Sequence, residues 1–258
     1  MSDIFKKITL HHEPDIKQTA RLLAERGWAE GNGGNFSIRL DRCIIKGERV
    51  QLPSSFPALA GQSLLVKSRG SRMRDVAIDP LSHVTLLSLS EKGESYIFES
   101  SAGFPTSELL SHLAVHELLS TARPNFKVLL HTHPTNLIAL THLLRDPKDI
   151  LRLLPRMYPE AAVLLSGNLE MLPYLTPGSE DLGKLTAHAF KHANAVIWSL
   201  HGMIAAGEDI AGAFDLIEVT DKAAKIAILS GVRKRKTGIP DSDIEALARL
   251  RKLPSDSP

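Results

Sequence analysis

Two histidines with one small residue between them, at positions 131–133, directly follow an apolar run. In a β-strand, side chains two residues apart lie on the same face, so His131 and His133 would reach one ion. A second strand-like apolar run, 195–198, leads to His201. Three histidine ligands leave one position of a tetrahedral zinc open, which is the arrangement of catalytic zinc sites. The spacing therefore predicts a catalytic metal site.

Other histidine pairs have the spacing of one helical turn. His112 and His116 are four residues apart in a predicted helix, and so are His188 and His192. Such pairs arise by chance in a chain with 11 histidines. We therefore interpret both pairs as surface or packing residues rather than as metal ligands.

A carboxylate lies at the predicted start of the helix that precedes His131. Glu108 follows Pro105, Thr106 and Ser107 there. Backbone N–H groups stabilise an acid in the first helical turn, so one interpretation is a capping residue. The other is a general base or a displaceable fourth metal ligand. A nearby cation lowers the pKa of a carboxyl group and a desolvated pocket raises it, a balance that suits a base working near neutral pH.

The glycine-rich segment Asn32-Gly33-Gly34-Asn35 offers backbone N–H groups that an anion can approach closely, together with two amide side chains. It lacks the lysine of a P-loop and does not match GxGxxG followed by a helix. A tight turn is therefore the competing interpretation.

Two further segments offer donors to an anion. Residues 68–72, Ser-Arg-Gly-Ser-Arg, resemble a second anion loop, and Thr106 and Ser107 lie at a predicted helix N-terminus. Three such elements beside a metal site predict a phosphorylated small molecule as the ligand.

The composition is that of an ordinary globular protein. The chain has 258 residues, 43% of them hydrophobic, and a net charge of +2, which gives no broad attraction to nucleic acid or membrane. We interpret the basic cluster 233–236 as a solvated helix end. Cys43 is the one cysteine, so no internal disulfide forms. The sequence shows neither a signal peptide nor a membrane-length apolar run, and we expect a cytoplasmic protein.

Hydrophobic periodicity predicts alternating helices and short strands. The predicted helices cover 15–29, 107–120 with Thr106 as N-cap, 135–144, 148–157, 182–192, 209–232 and 242–252. The predicted strands cover 36–40, 63–67, 76–78, 84–88, 96–98, 127–130 and 161–165, and 41–62 is a loop with a possible short strand.

This pattern predicts a single α/β domain over residues 1–258, with a central, mostly antiparallel or mixed sheet covered by helices. The strand spacing is too irregular for a doubly wound parallel sheet. We expect flexible tails at 1–14 and 254–258.

The motifs together resemble the class II (zinc-dependent) sugar-phosphate aldolase family, from roughly residue 15 to 250. The segments that carry the resemblance are 32–35, 105–108, 131–133, 201–202 and the stretch His-Pro-Thr-Asn-Leu-Ile-Ala-Leu-Thr at 133–141. That last stretch is most similar to the family branch that cleaves rhamnulose 1-phosphate.

The resemblance implies roles for particular residues. The zinc triad would be His131, His133 and His201, and the catalytic carboxylate would be Glu108. A second acid of the rhamnulose-phosphate branch corresponds to Glu160, for which an ordinary loop acid is the competing interpretation.

The resemblance also implies the phosphate site. Its residues would be Asn32, Asn35, Thr106 and Ser107, with the backbone of Gly33 and Gly34. The second phosphate loop of the family usually reads Gly-Ser-Gly, where this chain has Ser-Arg-Gly at 68–70. Arg69 either holds phosphate bidentately or signals a different substrate.

The implied reaction is reversible aldol cleavage of a ketose 1-phosphate to dihydroxyacetone phosphate and a short aldehyde. The aldehyde is L-lactaldehyde if the substrate is L-rhamnulose 1-phosphate. One Zn²⁺ per subunit would serve as Lewis acid. The resemblance further implies a homo-oligomer, specifically a tetramer, with no nucleic acid or membrane partner.

Two alternatives remain open from the sequence. A sugar-phosphate dehydratase or 4-epimerase would keep the fold and metal, and the altered loop at Arg69 leaves room for them. A non-catalytic scaffold similar to the adducin head is the other alternative. The intact set of three histidines and Glu108 argues against it, because a scaffold does not need ligand-type residues at those spacings.

Overall fold

The computed structural model describes residues 2–231 and 238–250. Its strands are β1 (Asn35–Leu40), β2 (Arg49–Gln51), β3 (Ser63–Lys67), β4 (Val84–Leu89), β5 (Ser95–Ser100), β6 (Val128–Thr132), β7 (Leu169–Leu172), β8 (Ala195–Trp198) and β9 (Gly202–Gly207). Its helices are α1 (Asp3–Glu25), α2 (Met73–Val76), α3 (Leu109–Ala122), α4 (Thr135–Leu143), α5 (Pro147–Leu153), α6 (Pro159–Leu165), α7 (Glu180–Ala189), α8 (Ile210–Leu229) and α9 (Asp241–Leu250).

These strands form one sheet in the order β2-β5-β4-β3-β1-β6-β9-β8-β7. Neighbouring strands are antiparallel except β7 and β8, which are parallel. The predicted α/β domain with a mostly antiparallel, mixed sheet is therefore confirmed.

Helices cover both faces of the sheet. Because successive side chains of a strand point to opposite faces, the position of a residue in its strand decides which helical layer it packs against. In β6, Val128 and Leu130 belong to the larger core, which includes residues of α1, α4 and α8. Leu129 lies between them and packs with α3 and α7 on the opposite face. His131 shares that opposite face, because it lies two residues after Leu129. The apolar pattern of one strand thus directs an imidazole toward the start of α3.

The N-terminal helix is longer than the sequence predicts. It begins at Asp3, where the Ser2 hydroxyl caps it by accepting a hydrogen bond from the backbone N–H of Phe5. Phe5 is fully buried, so apolar packing holds the segment that we expected to be a flexible tail at 1–14. The tail at 254–258 and the basic cluster at 233–236 lie outside the described residues.

Two predicted strands are not strands in the structure. Val76 ends helix α2 and residues 77–78 form the turn after it, while residues 161–165 lie in α6. Pro159 occupies the start of α6, where its fixed φ suits a helix, and two alanines follow. Periodicity cannot distinguish a short apolar strand from one buried face of a short helix. In the described residues, every helix is too short or too polar to cross a lipid bilayer.

Candidate active site

The three predicted metal ligands meet at one end of the sheet. His131 is in β6, His133 follows directly after β6, and His201 lies in the turn between β8 and β9. One ligand nitrogen from each ring lies within 4.8 Å of the other two. The ring centroid of His131 is 5.0 Å from that of His133 and 4.9 Å from that of His201.

A tight turn with an unusual backbone brings His201 to this position. Trp198 pairs with Gly202 across the β8–β9 hairpin, and the His201 N–H donates to the Trp198 carbonyl. Leu200 closes the turn in the left-handed region, with φ 62°. Gly202 is required for close approach, since a Cβ there would lie 2.3 Å from the Thr132 carbonyl oxygen. Strand β6, which carries His131, and strand β9, which begins directly after His201, are thereby packed closely against each other.

Hydrogen bonds on the far side of two rings fix their orientation. His131 Nδ1 lies 2.9 Å from the Met203 carbonyl, which can only accept, so Nδ1 carries the proton and Nε2 presents a lone pair. His133 Nδ1 lies 2.8 Å from a carboxylate oxygen of Glu30. Histidines that bind metals are oriented by such bonds from their other ring nitrogen.

The imidazoles have the protonation state that a metal requires. Burial lowers the pKa of His131 well below its usual value, and neighbouring His133 and His201 add to this effect. Burial also lowers the pKa of His201 to about 4, again with a contribution from His133. Neutral imidazole is the form that coordinates a cation.

The donor set fits a cation at its centre. The buried His131 Nε2 has no hydrogen-bond partner among the described residues, and a Glu108 oxygen lies 3.3 Å from it. The other Glu108 oxygen lies 3.5 Å from His201 Nε2. Because His131 is neutral there, its lone pair faces the oxygen of a carboxylate, and only a cation or a proton between them makes that arrangement favourable.

Glu108 occupies the N-cap position of α3, but its side chain does not cap the helix. The interpretation of Glu108 as a capping acid is therefore wrong. The prediction of Thr106 as N-cap is also wrong, although its hydroxyl accepts a hydrogen bond from the Glu108 N–H. Glu108 is buried with its carboxylate turned toward the histidines, a costly placement that points to a chemical role.

A chain of buried hydrogen bonds holds Glu108 Oε2, the same carboxylate oxygen that lies 3.3 Å from His131 Nε2. Asn35 Nδ2 donates to Glu108 Oε2 at 2.7 Å, which leaves Asn35 Oδ1 to accept from His112 Nε2. His112 Nδ1 then accepts from the Ser37 hydroxyl at 2.7 Å, and Ser37 accepts from His116 Nε2 at 2.8 Å. The carboxylate fixes the direction, since it can only accept. Every proton in this chain points toward Glu108.

Burial determines the protonation state of this network. It lowers the pKa of His112 to about 3 and that of His116 well below its usual value, so both rings are neutral. Burial raises the pKa of Glu108, while the hydrogen bond from Asn35 and the charges of His133 and Lys67 oppose the rise. A carboxyl group with a raised pKa is a stronger base than an ordinary exposed one, as proton abstraction from carbon requires.

A cavity of about 160 Å³ opens in front of these groups. Larger cavities exist elsewhere in the described residues, but this is the one where the three histidines and Glu108 converge. Its remaining lining residues are Asn32, Gly33, Gly34, Asn35, Lys67, Arg69, Gly70, Thr106 and Ser107. All the residues predicted to bind phosphate therefore line the same cavity as the predicted metal ligands.

The contacts divide the predicted phosphate residues into two groups. The Asn35 amide is engaged with Glu108 and His112, and the Gly33 N–H donates to the Glu30 carbonyl at 2.8 Å. Asn32, Ser107 and Arg69, by contrast, have exposed side chains at the cavity, free to meet a ligand. In this structure the Asn35 amide holds Glu108, and a role for Asn35 in phosphate binding stays a prediction.

Glu160 does not join the site of its own chain. It lies in the first turn of α6, exposed, and it is not among the residues that line the cavity. The helix α6 packs with α8 and α9 instead. The strand that we predicted directly after Glu160 is wrong, because this segment is helical, and a catalytic role for Glu160 stays a prediction.

Sequence reasoning missed three residues of this site. Ser37 and His112 complete the network behind Asn35, and Lys67 lines the cavity. A signal for the first two was present: Asn35 and Ser37 alternate in one strand, so they face the same side as His131. The spacing of His112 and His116 also marks one face of α3, and we interpreted that face as packing.

Comparison with known proteins identifies the family. Residues 15–228 match the model of the Class II Aldolase and Adducin N-terminal domain family, and the chain belongs to this family. A rhamnulose-1-phosphate aldolase of Mannheimia succiniciproducens is 35% identical over 228 residues, covering 82% of this chain and 84% of that protein. One of Bacteroides thetaiotaomicron is 34% identical, with 83% of each covered.

Solved structures agree with the sequence relatives. A sugar-phosphate aldolase from Thermotoga maritima has a TM-score of 0.78 and 31% identity, covering 88% of this chain and 99% of that one. An L-fuculose 1-phosphate aldolase with 22% identity shares the fold, with a TM-score of 0.66. The chain is thus an enzyme of the class II aldolase type, a metal-dependent family that acts on small phosphorylated sugars.

Proposed function

We propose that this chain cleaves L-rhamnulose 1-phosphate to dihydroxyacetone phosphate and L-lactaldehyde, with one Zn²⁺ per subunit bound by His131, His133 and His201. The observation that carries the proposal is the convergence of these imidazoles and the buried Glu108 at a cavity lined by anion-binding loops. The names of the sequence relatives support the choice of substrate.

Imidazole ligands favour zinc among the common divalent ions, although cobalt and copper also accept them. When bound, the cation would act as a Lewis acid that stabilises negative charge on the substrate ketone oxygen, contributing several kcal/mol at the transition state. Three histidines would hold the cation, and hydrogen bonds of His131 to Met203 and of His133 to Glu30 keep two of these rings in place.

Glu108 handles the proton at carbon. In cleavage, the C3–C4 bond of the ketose breaks and its electron pair stays on C3, while the C4 hydroxyl gives its proton to a base as the aldehyde forms. We propose that this base is Glu160. Glu108 then returns a proton to C3 to give dihydroxyacetone phosphate. In synthesis it removes the same proton. Asn35 and His112 keep the carboxylate pointing at the cavity throughout.

Phosphate anchors the substrate away from the reacting carbons. Asn32, Thr106, Ser107 and Arg69 surround the far end of the cavity, with the Gly34 backbone close by. Binding energy from such a remote group positions the reacting centre and lowers the barrier.

We also propose a homo-oligomer, specifically a tetramer. Large apolar side chains flank the cavity on the surface: Leu200 next to His201 is 43% exposed, and Phe104 next to the 68–72 loop is 50% exposed. Patches of this kind at a site mark interfaces. Glu160, exposed on α6, can act on a substrate only if it reaches the cavity of another subunit.

The substrate assignment is tested by incubating zinc-loaded protein with L-rhamnulose 1-phosphate, L-fuculose 1-phosphate and ribulose phosphates. Release of dihydroxyacetone phosphate, fastest from L-rhamnulose 1-phosphate, is the expected result. Loss of water from the substrate or inversion at C4 would instead identify a dehydratase or epimerase. No turnover of any ketose phosphate, together with no bound metal, would favour a scaffold.

The metal assignment is tested with His133→Ala. We expect the affinity for zinc to fall by more than about 100-fold, and the rate of cleavage to fall with it. Removing a metal ligand costs more affinity than removing the hydrogen-bond partner of a ligand. His188→Ala changes an exposed histidine on α7 and serves as the control. Normal zinc content in His133→Ala would remove this residue from the proposed site.

For the oligomer, light scattering gives the mass directly. Mixing Glu108→Gln subunits with Glu160→Gln subunits then tests for shared sites. If Glu160 acts across a subunit boundary, mixed assemblies regain activity that neither variant has alone. A fully active Glu160→Gln variant would leave Glu160 as an ordinary surface acid.

A further inference from the structure

Helix α4 begins two residues after His133, yet its own sequence provides no cap for its first turn. The N-cap residue is Pro134, whose side chain has no oxygen that could accept a hydrogen bond. The first N–H groups of a helix have no acceptor within the helix, and Leu137 in this first turn is fully buried. The start of α4 therefore needs an acceptor from another part of the chain.

Asp221 of helix α8 supplies this acceptor. Its Oδ1 accepts from the backbone N–H of Asn136 at 2.9 Å and from that of Leu137 at 3.1 Å. Its Oδ2 accepts from the side-chain amide of Asn136 at 2.7 Å. An ordinary N-cap side chain bonds to the same backbone groups, those of the second and third helical residues. Asp221 is thus the cap of α4, although it lies 85 residues from Asn136 in the sequence.

The placement of Asp221 is costly. Its side chain is 5% exposed, and no basic side chain among the described residues forms an ion pair with it. Burying a carboxylate is unfavourable unless hydrogen bonds offset the loss of hydration. Here the three N–H donors and the positive end of the α4 dipole provide that compensation. The carboxylate of Asp221 therefore serves the start of α4.

The last turn of α4 holds the backbone next to another histidine. Thr141 is 2% exposed, and its hydroxyl donates to the Ile138 carbonyl at 2.7 Å and accepts from the Leu200 N–H at 3.0 Å. Leu200 is the left-handed residue of the turn that carries His201. Such a conformation is unfavourable for leucine and persists only when surrounding contacts stabilise it. The hydrogen bond to Thr141 is one of these contacts.

We propose that Asp221 and Thr141 are positioning residues for the metal site. Asp221 fixes the start of α4, to which His133 is joined through one residue. Thr141 fixes the turn that carries His201, so that one helix sets the places of two ligands. The inference rests on the proposed function, because it requires these histidines to bind the metal. It also gives a physical reason for the segment 133–141, in which His133 alone is a proposed ligand.

The test measures binding of Co²⁺ to metal-free protein, because the visible absorption of bound Co²⁺ depends on coordination geometry and needs no turnover. We expect Asp221→Ala to weaken Co²⁺ binding by about tenfold and to change the absorption spectrum, since His133 is held less accurately. Asp221→Asn keeps an oxygen for the two backbone N–H groups and should restore most of the affinity. Asp146→Ala is the matched control, because Asp146 is the exposed cap of α5 and accepts from the Lys148 N–H.

The outcomes separate this inference from the proposed function. If wild-type protein binds no Co²⁺, the proposed metal site is wrong and the inference fails with it. If wild type and Asp221→Ala bind Co²⁺ with the same affinity and spectrum, the metal site stands, but Asp221 only stabilises the fold and the inference is wrong. An equal loss in Asp146→Ala would also overturn it, because that pattern reports a general loss of stability.

A second variant covers the case in which Asp221→Ala does not fold. Thr141→Val keeps the shape of the side chain and removes the acceptor for the Leu200 N–H. We expect a severalfold lower affinity for Co²⁺ and an altered spectrum, because the turn before His201 loses its support. Thr121→Val is the control, since the exposed Thr121 hydroxyl also donates to a carbonyl three residues earlier. A wild-type spectrum and affinity in Thr141→Val would contradict the inference.

Discussion

The proposed metal end and the proposed phosphate end of the cavity are built by different means. At the metal end, buried side chains of β1 and α3 are hydrogen-bonded to one another and to Glu108, and His131 of β6 is hydrogen-bonded to the Met203 carbonyl. At the phosphate end, loops present backbone groups and the exposed side chains of Asn32, Arg69 and Ser107.

This difference follows from what each end does. Proton transfer and metal binding depend on atom positions within fractions of an ångström, which buried networks can hold. A phosphate group is large and binds through many donors, so loops at a solvent-facing rim suffice. Gly33 joins the two ends, because it belongs to the glycine-rich loop and lies against the His133 ring.

The largest effect is expected from Glu108→Gln. The variant keeps the hydrogen bond to Asn35 but loses the base, so turnover should fall by about 10²–10⁴-fold. Zinc content, measured by atomic emission on the same samples, should stay near wild type. Glu91→Gln, at an exposed turn, is the control. Unchanged turnover would mean that Glu108 only contacts the metal ligands.

Gly33→Ala tests the junction between the two ends. A Cβ at this position would lie 2.9 Å from His133 Cε1 and 2.9 Å from the Glu30 carbonyl oxygen. We expect the ring of His133 to shift, so that zinc affinity and turnover both decrease by about tenfold or more. Gly212→Ala, on α8, should leave both values unchanged. If Gly33→Ala weakens phosphate binding alone, the two ends are independent.

His112→Phe tests the network behind Glu108. The ring volume is kept, while the bonds to Asn35 and Ser37 are lost. We expect kcat to fall by about tenfold with little change in KM, because a misdirected carboxylate affects the chemical step. His116→Phe lies one step further from Glu108 and should cost less. An equal effect from both variants would indicate a packing role.

The smallest effect is a pH dependence at the phosphate end. Burial lowers the pKa of Lys67 to about 8, against a weaker opposing effect of Glu108. The cationic form binds the anion, so affinity for inorganic phosphate should fall severalfold as pH rises above about 8. In Lys67→Arg the guanidinium keeps its charge, and this decline should be absent. Equal affinity at pH 7 and pH 9 in wild type would count against a role for the Lys67 charge.

The sequence predicted the metal end well because periodic elements carry it. His131 follows an apolar strand, and alternation alone places it with His133. We predicted its convergence with His201 because His201 also follows an apolar strand. The left-handed backbone of Leu200, which makes the turn, could not be predicted from the sequence. Glu108 was found by its position, yet its capping interpretation was wrong because its carboxylate accepts a hydrogen bond from Asn35 and not from the first N–H groups of α3.

The phosphate end was predicted only in outline. The loop motifs indicated which segments approach an anion, and all of them line the cavity. Which side chains are free depends on tertiary partners that no local pattern shows. Asn35 is hydrogen-bonded to Glu108, and Lys67 is buried by loops that are distant from it in sequence. The strand predictions for residues 76–78 and 161–165 were wrong for a similar reason. In short apolar runs, tertiary packing and not the local pattern decides between helix and strand.

The central claim is that Glu108 moves the proton at carbon while the three histidines hold the metal. The most direct measurement is hydrogen exchange at C3 of dihydroxyacetone phosphate in D₂O without aldehyde, followed by NMR. Zinc-loaded wild type should exchange one hydrogen stereospecifically, and Glu108→Gln should bind zinc normally but exchange it far more slowly. Exchange at the wild-type rate in a zinc-loaded Glu108→Gln protein would contradict the account.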